Sequence, residues 1–196
     1  MAKTFKNMDK RVERSKAAVL RETYRQLSKN GISGVSIDVV SRTSGVSKTT
    51  IYRHWPSRSA LLIDACSRLA SVPMAPDTGS LRGDLCKLLK ELASQLETAN
   101  WSAVYPSIID AAERDSEIRI MQAALHKAFM APFGTVFNLA KNRGEIRSNK
   151  ATTALLATSV GPLFYRRWFS REKIDGQFVE AIAETIVQTA YARSTK

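Results

Sequence analysis

The sequence predicts an all-α chain in two parts, and three observations carry that expectation. Apolar residues recur at helical spacing through most of the 196 residues, the mark of helices with a buried face. No stretch alternates apolar and polar residues for the length of a strand. One cluster of helix breakers, Pro73, Pro76 and Gly79 in SVPMAPDTG, interrupts the pattern and separates a strongly basic first part from a nearly balanced second. The expected boundaries are a first domain at 1–72, a linker at 73–79 and a larger helical domain at 80–196.

Residues 3–11 carry Lys3, Lys6, Lys10 and Arg11 with little apolar pattern, and read as a tail or a basic arm. A first helix follows to about Lys29, with Ala17, Leu20, Tyr24 and Leu27 on one face and Asn30-Gly31 ending it. Ser36 then opens a short helix with Ile37 and Val40 as its apolar set. Ser44-Gly45 breaks that helix, because glycine accepts the left-handed backbone of a tight end. Ser47 caps a second short helix, Lys48 to His54, anchored by Ile51. Proline disfavours helical geometry in the residue before it, so Pro56 stops this helix at Trp55.

Two short helices around so tight a turn, the second polar and basic, describe a helix-turn-helix. In such a unit the second helix enters the major groove by its first residues, here Lys48, Thr49 and Thr50. Lysine donates to guanine acceptors, and threonine offers a hydroxyl and a methyl. Tyr52, Arg53 and His54 suit phosphates or the groove wall. Ser57 caps a fourth helix with Leu61, Leu62, Ala65 and Leu69 as its stripe, and places Arg58 at an N-terminus that favours phosphate.

Beyond the break, Ser80 caps a helix whose stripe is Leu81, Leu85, Leu88, Leu89, Leu92 and Leu96. WSAVYPSIIDAAER forms a shorter helix with Trp101, Tyr105, Ile108 and Ile109. A long helix from about Ser116 to Asn142 carries Ile118, Met121, Leu125, Phe129, Phe133, Val136 and Phe137, with a kink expected at Pro132. Two more helices, 150–169 and 175–193, close the chain. In the last, Phe178, Val179, Ile182, Ala183 and Ile186 cover more than one face, which predicts a second helix to bury them, as in an oligomer.

The net charge of +12 is unevenly placed. Residues 1–70 hold 14 Lys/Arg and 5 Asp/Glu, and the remainder hold 16 and 13, so the excess lies with the helix-turn-helix, where a polyanion would bind. Cys66 and Cys86 have no zinc-like spacing with His54 and His126, and read as free, buried thiols. No apolar run reaches the ~18 residues of a membrane span, and the polar N-terminus lacks a secretory pattern, so a cytoplasmic location is expected. No phosphate-binding glycine loop or nucleophile elbow appears, and no enzyme, cofactor or metal is expected. Asp110, Glu113, Asp115 and Glu117 straddle a helix end and read as a solvated acidic turn.

The segment from Ser36 to Leu62 closely resembles the DNA-binding signature of TetR-family transcriptional regulators. The Ser36-Ile37 opening, Gly45-Val46-Ser47 at the turn, Ile51-Tyr52-Arg53-His54-Trp55-Pro56 and then Ser57-Arg58 carry the resemblance. Val40 and Ser44 stand where alanine is usual, and Arg58 where lysine is. GSLRGDL (79–85) and GPLFYRRW (161–168) are similar, more weakly, to the C-terminal domain of one group of that family. The resemblance implies a three-helix DNA-binding domain, a homodimer formed through the last two helices, and a pocket for a small molecule.

Residues and resemblance together give the expected sites. DNA contact falls to Ser36, Arg42, Ser47, Lys48, Thr49, Thr50, Tyr52, Arg53, His54 and Arg58. Trp101, Tyr105, Met121, Leu125, His126, Phe129, Phe133, Phe164 and Tyr165 are expected to line a pocket for an apolar or aromatic effector. Arg166 and Arg167 are placed at the solvent or the dimer seam, and Phe178, Val179, Ile182, Ala183 and Ile186 at the dimer contact. The expected function is a ligand-responsive repressor released from a double-stranded DNA operator. The alternative is a basic helical protein that binds an acidic partner without reading DNA sequence.

Overall fold

The computed structural model of the chain describes residues 2–67, 74–98, 101–146 and 152–191, with side chains from residue 11 onward. Every regular element among them is helical. The elements are α1 (Ala2–Asn30), α2 (Ile37–Ser44), α3 (Lys48–His54), α4 (Arg58–Ser67), α5 (Leu81–Thr98), α6 (Trp101–Ala112), α7 (Ser116–Asn142), α8 (Thr152–Tyr165) and α9 (Gly176–Tyr191). One turn of π-helix, Arg166–Ser170, follows α8 directly. The chain divides into two compact units, Met1–Ser71 with Asn100–Leu125, and Val72–Ala99 with His126–Lys196.

The first unit differs from the expected first domain in two respects. Residues 3–11 are part of α1, which is helical from Ala2. The unit also extends past the proline-glycine break to take in α6 and the start of α7. Val104, Ile108, Ala111, Ala112, Ile118 and Met121 are buried in the same core as Val19, Leu27, Val40, Ile51, Leu61 and Leu62. Breakers mark where the chain turns aside, but they do not tell which later helix packs back. Within α1 the buried residues are Val19, Leu20, Glu22, Thr23, Gln26 and Leu27, whereas Tyr24 is half-buried and Ala17 exposed. Leu69 lies outside the described residues.

The α1–α2 connection shows why α6 belongs here. Gly31 has φ +67°, and a β-carbon on it would come within 2.9 Å of Cβ of Ser107, so only glycine brings the turn this close to α6. The backbone N–H of Ile32 donates to Oγ of Ser107 at 3.1 Å. That hydroxyl donates in turn to the carbonyl of Val104 at 2.8 Å.

In the second unit α5 packs on α8 and α9, and all six leucines of its expected stripe are buried. Oγ of Ser80 accepts from N–H of Gly83 at 3.1 Å, the expected cap. Asp84, fully buried, is answered by Arg143 beyond the end of α7. Pro132 lies inside α7, which remains one helix from Ser116 to Asn142. Cys66, in the first unit, is buried, and burial pushes its thiol up to about 12, which keeps it protonated and unreactive at neutral pH.

Two groups of residues in the second unit differ from expectation. Val179, Ile182, Ala183 and Ile186 are buried within the chain itself. α9 is apolar on more than one face because α5 and α8 both pack on it, so its own chain supplies the second surface. Phe178 is half-buried beneath the guanidinium of Arg166, 3.4 Å from the ring centroid. Arg166 also donates to the carbonyl of Lys173 at 2.7 Å, and Nε of Arg167 donates to the carbonyl of Leu96 at 2.8 Å. Both arginines therefore fasten the π-turn to its own unit instead of standing free at a seam.

Candidate nucleic-acid interface

The helix-turn-helix is closed by its small polar residues. Gly45, at φ +69°, ends α2 in the left-handed region. Oγ of Ser41 donates to the carbonyl of Val46 at 2.8 Å, and N–H of Val46 donates to Oγ of Ser44 at 3.3 Å, so Ser44 serves the turn itself. Oγ of Ser47 accepts from N–H of Thr50 at 3.3 Å and lies 2.9 Å from Oγ1 of Thr50. Ile51 is fully buried beneath α3. Trp55 leaves the helix in an extended conformation, as the following Pro56 requires, and its indole N–H donates to Asp64 on α4 at 2.9 Å. Oγ of Ser57 accepts from N–H of Ala60 at 3.0 Å, the cap expected for α4.

This framework turns one face of α3 outward. Arg42, Ser47, Lys48, Thr49, Tyr52 and Arg53 are exposed, and Ser36, Thr50, His54 and Arg58 are half-buried. Their chemical availability differs. Lys48 is ion-paired with Asp38 at the start of α2, so it reaches a base only by leaving or sharing that carboxylate. The hydroxyl of Thr50 is engaged by the Ser47 cap. His54 meets Trp55 edge to face, with centroids 5.8 Å apart, and is held beside the tryptophan. Thr49, Tyr52 and Arg53 are left as the outward groups of the helix.

Two of the expected contacts carry other work. Ser36 makes no side-chain cap on α2. Its backbone N–H donates to Oε1 of Gln26 at 2.9 Å. Arg58 turns inward, where Nε donates to the carbonyl of Val35 at 2.9 Å and Nη2 to the carbonyl of Ile32. Residues 31–36 are thus held by Gln26 from α1, Arg58 from α4 and Ser107 from α6. The sequence reading missed Gln26 and Ser107, because a buried amide and a helical serine carry no spacing signature. A glutamine adjoining Leu27 on an apolar face was the available hint.

From this geometry Arg58→Ala is expected to lower folding stability by about 1–3 kcal/mol, since it removes charged donors from part-buried carbonyls. DNA affinity should then fall equally for all sequences, with the salt dependence unchanged. Chemical denaturation and binding titrations over a salt series check this. A salt slope reduced by about 0.9, with stability intact, would return Arg58 to phosphate contact.

The expected effector residues fall in both units. Trp101 and Met121 are buried in the first, where Trp101 meets Tyr105 edge to face at 5.9 Å and Tyr105 lies 3.4 Å from Gln122. Tyr105 and Leu125 are half-buried. In the second unit Phe133 is buried, Phe129 and Phe164 are half-buried, and Phe164 packs on Trp168 at 4.9 Å. His126 and Tyr165 are exposed, so neither is a polar handle within an enclosed wall. Tyr165 stacks on Phe169 at 6.0 Å, and the two are 59% and 76% exposed.

Residues 19–65 match the family model described as bacterial regulatory proteins of the tetR family. Residues 75–186, more than half of the chain, match the model described as tetracyclin repressor-like, C-terminal domain. The chain belongs to the TetR family. An HTH-type transcriptional regulator of Mycobacterium bovis, itself uncharacterized, is 26% identical over 178 residues, spanning 90% of this chain and 88% of the relative. The DNA-binding transcriptional repressor TetR of Mycobacteroides abscessus is 30% identical over 139 residues, spanning 69% and 72%. The crystal structure of the TetR-family regulator SCO0332 superposes with a TM-score of 0.67 at 27% identity, covering 89% of this chain and 97% of that one. This TetR-family chain is accordingly a DNA-binding transcriptional regulator of helix-turn-helix type, and no helix among its described residues is long and apolar enough to cross a membrane.

Proposed function

We propose that this regulator is a homodimeric repressor that a small apolar or aromatic effector releases from its operator. The observation that carries the DNA reading is the exposed outer face of α3, with Thr49 and Tyr52 outward on a framework fixed by Ile51, Trp55 and the Ser47 cap. The Mycobacteroides relative is named a repressor, which supports the sign of regulation. Apolar and aromatic residues predominate in the effector set, which contains no Lys or Arg, and such walls suit apolar ligands oriented by few hydrogen bonds. The mechanism is a population shift. Two recognition helices must sit about 34–36 Å apart to enter successive major grooves, and a ligand that prefers another spacing weakens DNA binding by its differential affinity.

The dimer surface is reassigned in this proposal. With α9's apolar residues inside, the outward face of α8 presents Ala154, Ala157, Thr158, Gly161 and Tyr165, a stripe without charge. Ala181, Thr185 and Thr189 of α9 are also exposed. Glu180 and Glu184 of α9 are paired with Lys90 and Arg82 of α5. Small uncharged side chains let two copies approach closely across a two-fold axis.

Sequencing the genomic fragments retained by the purified protein tests the reading, with apolar compounds then screened for release of those fragments and for a raised melting temperature. Failure to retain a discrete site against competitor DNA would end it. Thr49→Ala should cost about 1–3 kcal/mol at one base position and relax preference there, whereas substitution of Tyr52 should weaken all sequences alike. Binding to a set of single-base operator variants reads the difference.

A further inference from the structure

The outward side of α1 carries a stripe of one sign. Arg11, Arg14, Arg21, Arg25 and Lys29 are exposed, and at 3.6 residues per turn they fall within roughly 80° of arc. Val19, Thr23 and Leu27, on the opposite side, are buried. From Arg11 to Lys29 the stripe runs about 27 Å at 1.5 Å per residue. The acidic residues of this stretch lie off it. Glu13 pairs with Lys16, and Glu22 with Arg25 at 2.8 Å, so among the described residues Arg11, Arg14, Arg21 and Lys29 have no ion pair. At its far end a shallow groove of ≈ 450 Å³ is lined by Arg21, Tyr24, Arg25, Ser28 and Lys29.

This stripe lies on the side of α1 opposite Val19 and Leu27, which share one core with Ile51 of α3. α1 packs on α2, α4 and α6 with its buried side, whereas α3 packs on α2. None of these cations belongs to α2, α3 or the head of α4, the elements that form the recognition face. Ordinary solvated helices interleave both signs, and like charges at i, i+4, such as Arg21, Arg25 and Lys29, repel by a few tenths of a kcal/mol per pair. A protein partner would need apolar anchors at the centre of its contact, and the stripe offers only Ala17, Ala18 and the edge of Tyr24. A nucleic-acid backbone needs none. It presents a continuous line of negative charge, one per ≈ 1.7 Å of duplex axis, and its affinity comes from counterions released by such cations.

We propose that the outward face of α1 is a second DNA-binding surface, which holds the phosphate backbone of a duplex segment other than the one seated under α3. The proposal rests on the operator-binding reading above and adds sequence-independent bridging to it. One bound regulator would then draw a further stretch of DNA against the operator.

The test uses the full-length protein on bead-bound operator duplex, washed and then offered a fluorescent duplex lacking the operator. Wild type should capture the second duplex, and capture should collapse between about 50 and about 200 mM salt. The variant Arg14→Gln/Arg21→Gln/Lys29→Gln, at exposed sites where glutamine keeps helix propensity, should hold the operator as wild type does and lose capture about ten-fold or more. Circular dichroism verifies its fold. Wild type that holds the operator yet captures nothing, or a variant that captures as well as wild type, overturns the proposal. Should wild type fail to hold the operator, that reading fails instead. The labelled duplex is then offered to protein tethered by its own C-terminus, where the same loss in the variant is still required.

Discussion

Ala183→Glu is expected to prevent folding of the second unit, whereas Ala157→Arg is expected to leave a folded monomer that no longer holds its operator. The two alanines sit on neighbouring helices and differ in what surrounds them. Ala183 is fully buried on α9, which packs on α5 and α8, so a carboxylate there is carried into the core. An uncompensated buried charge costs several kcal/mol, set against a total stability of about 5–15 kcal/mol. Ala157 is exposed midway along the uncharged stripe of α8. Arginine there costs the protomer little, but across a two-fold axis it meets itself as a like charge in an apolar seam. Thermal melting separates the first effect from the second, and sedimentation at micromolar concentration reads the assembly. An Ala157→Arg protein that remains dimeric and binds as wild type does would remove α8 from the interface.

The contrast between those alanines shows what the sequence does and does not disclose. Helix positions were legible because each is written locally. The leucine stripe of α5, the glycine at φ +69° after Ser44 and the serine caps at 47, 57 and 80 are short-range signals with short-range causes. Partners were not. The breadth of α9's apolar surface correctly demanded a second helix, but periodicity does not say whether that helix belongs to another copy or lies elsewhere in the chain. α5 and α8 fill the role. Similarly, Arg58 at the head of α4 had the position of a phosphate ligand, and only the fold shows that the carbonyls of Ile32 and Val35 lie within its reach. The aromatic set was legible as apolar, yet its division between the two units and the exposure of His126 and Tyr165 were not.

Loss of Arg143 should be the most damaging removal of a single cation from the second unit. Its guanidinium serves three carboxylates, with Nε 2.5 Å from Glu145, Nη2 2.9 Å from Asp84 and Nη1 3.1 Å from Asp77. Its own ionisation is driven further up, first by the hydrogen bond to Glu145 and then by that to Asp84, so it stays charged throughout. The carboxylates are also fixed by backbone. Oδ1 of Asp84 accepts from N–H of Thr78 at 2.6 Å, and Oε2 of Glu145 accepts from N–H of Leu81 at 2.7 Å. The network therefore ties the entry of α5 to the exit of α7. Arg143→Ala leaves the Asp84 carboxyl buried without its cation, an expected cost of about 3–5 kcal/mol. Asp84→Ala should cost less, about 1–3 kcal/mol, because Arg143 keeps Glu145 and Asp77, although the N–H of Thr78 and Nη2 of Arg143 each lose an acceptor. The double variant should cost less than the two combined, since the stranded charge is removed with its partner. Arg143→Lys should recover only a fraction, because an ammonium lacks the planar fork that meets several acceptors at once. Denaturant titrations of the four proteins give the cycle. Strict additivity would mean that Asp84 and Arg143 are neighbours without energetic coupling, and that the entry of α5 is held by its leucines alone.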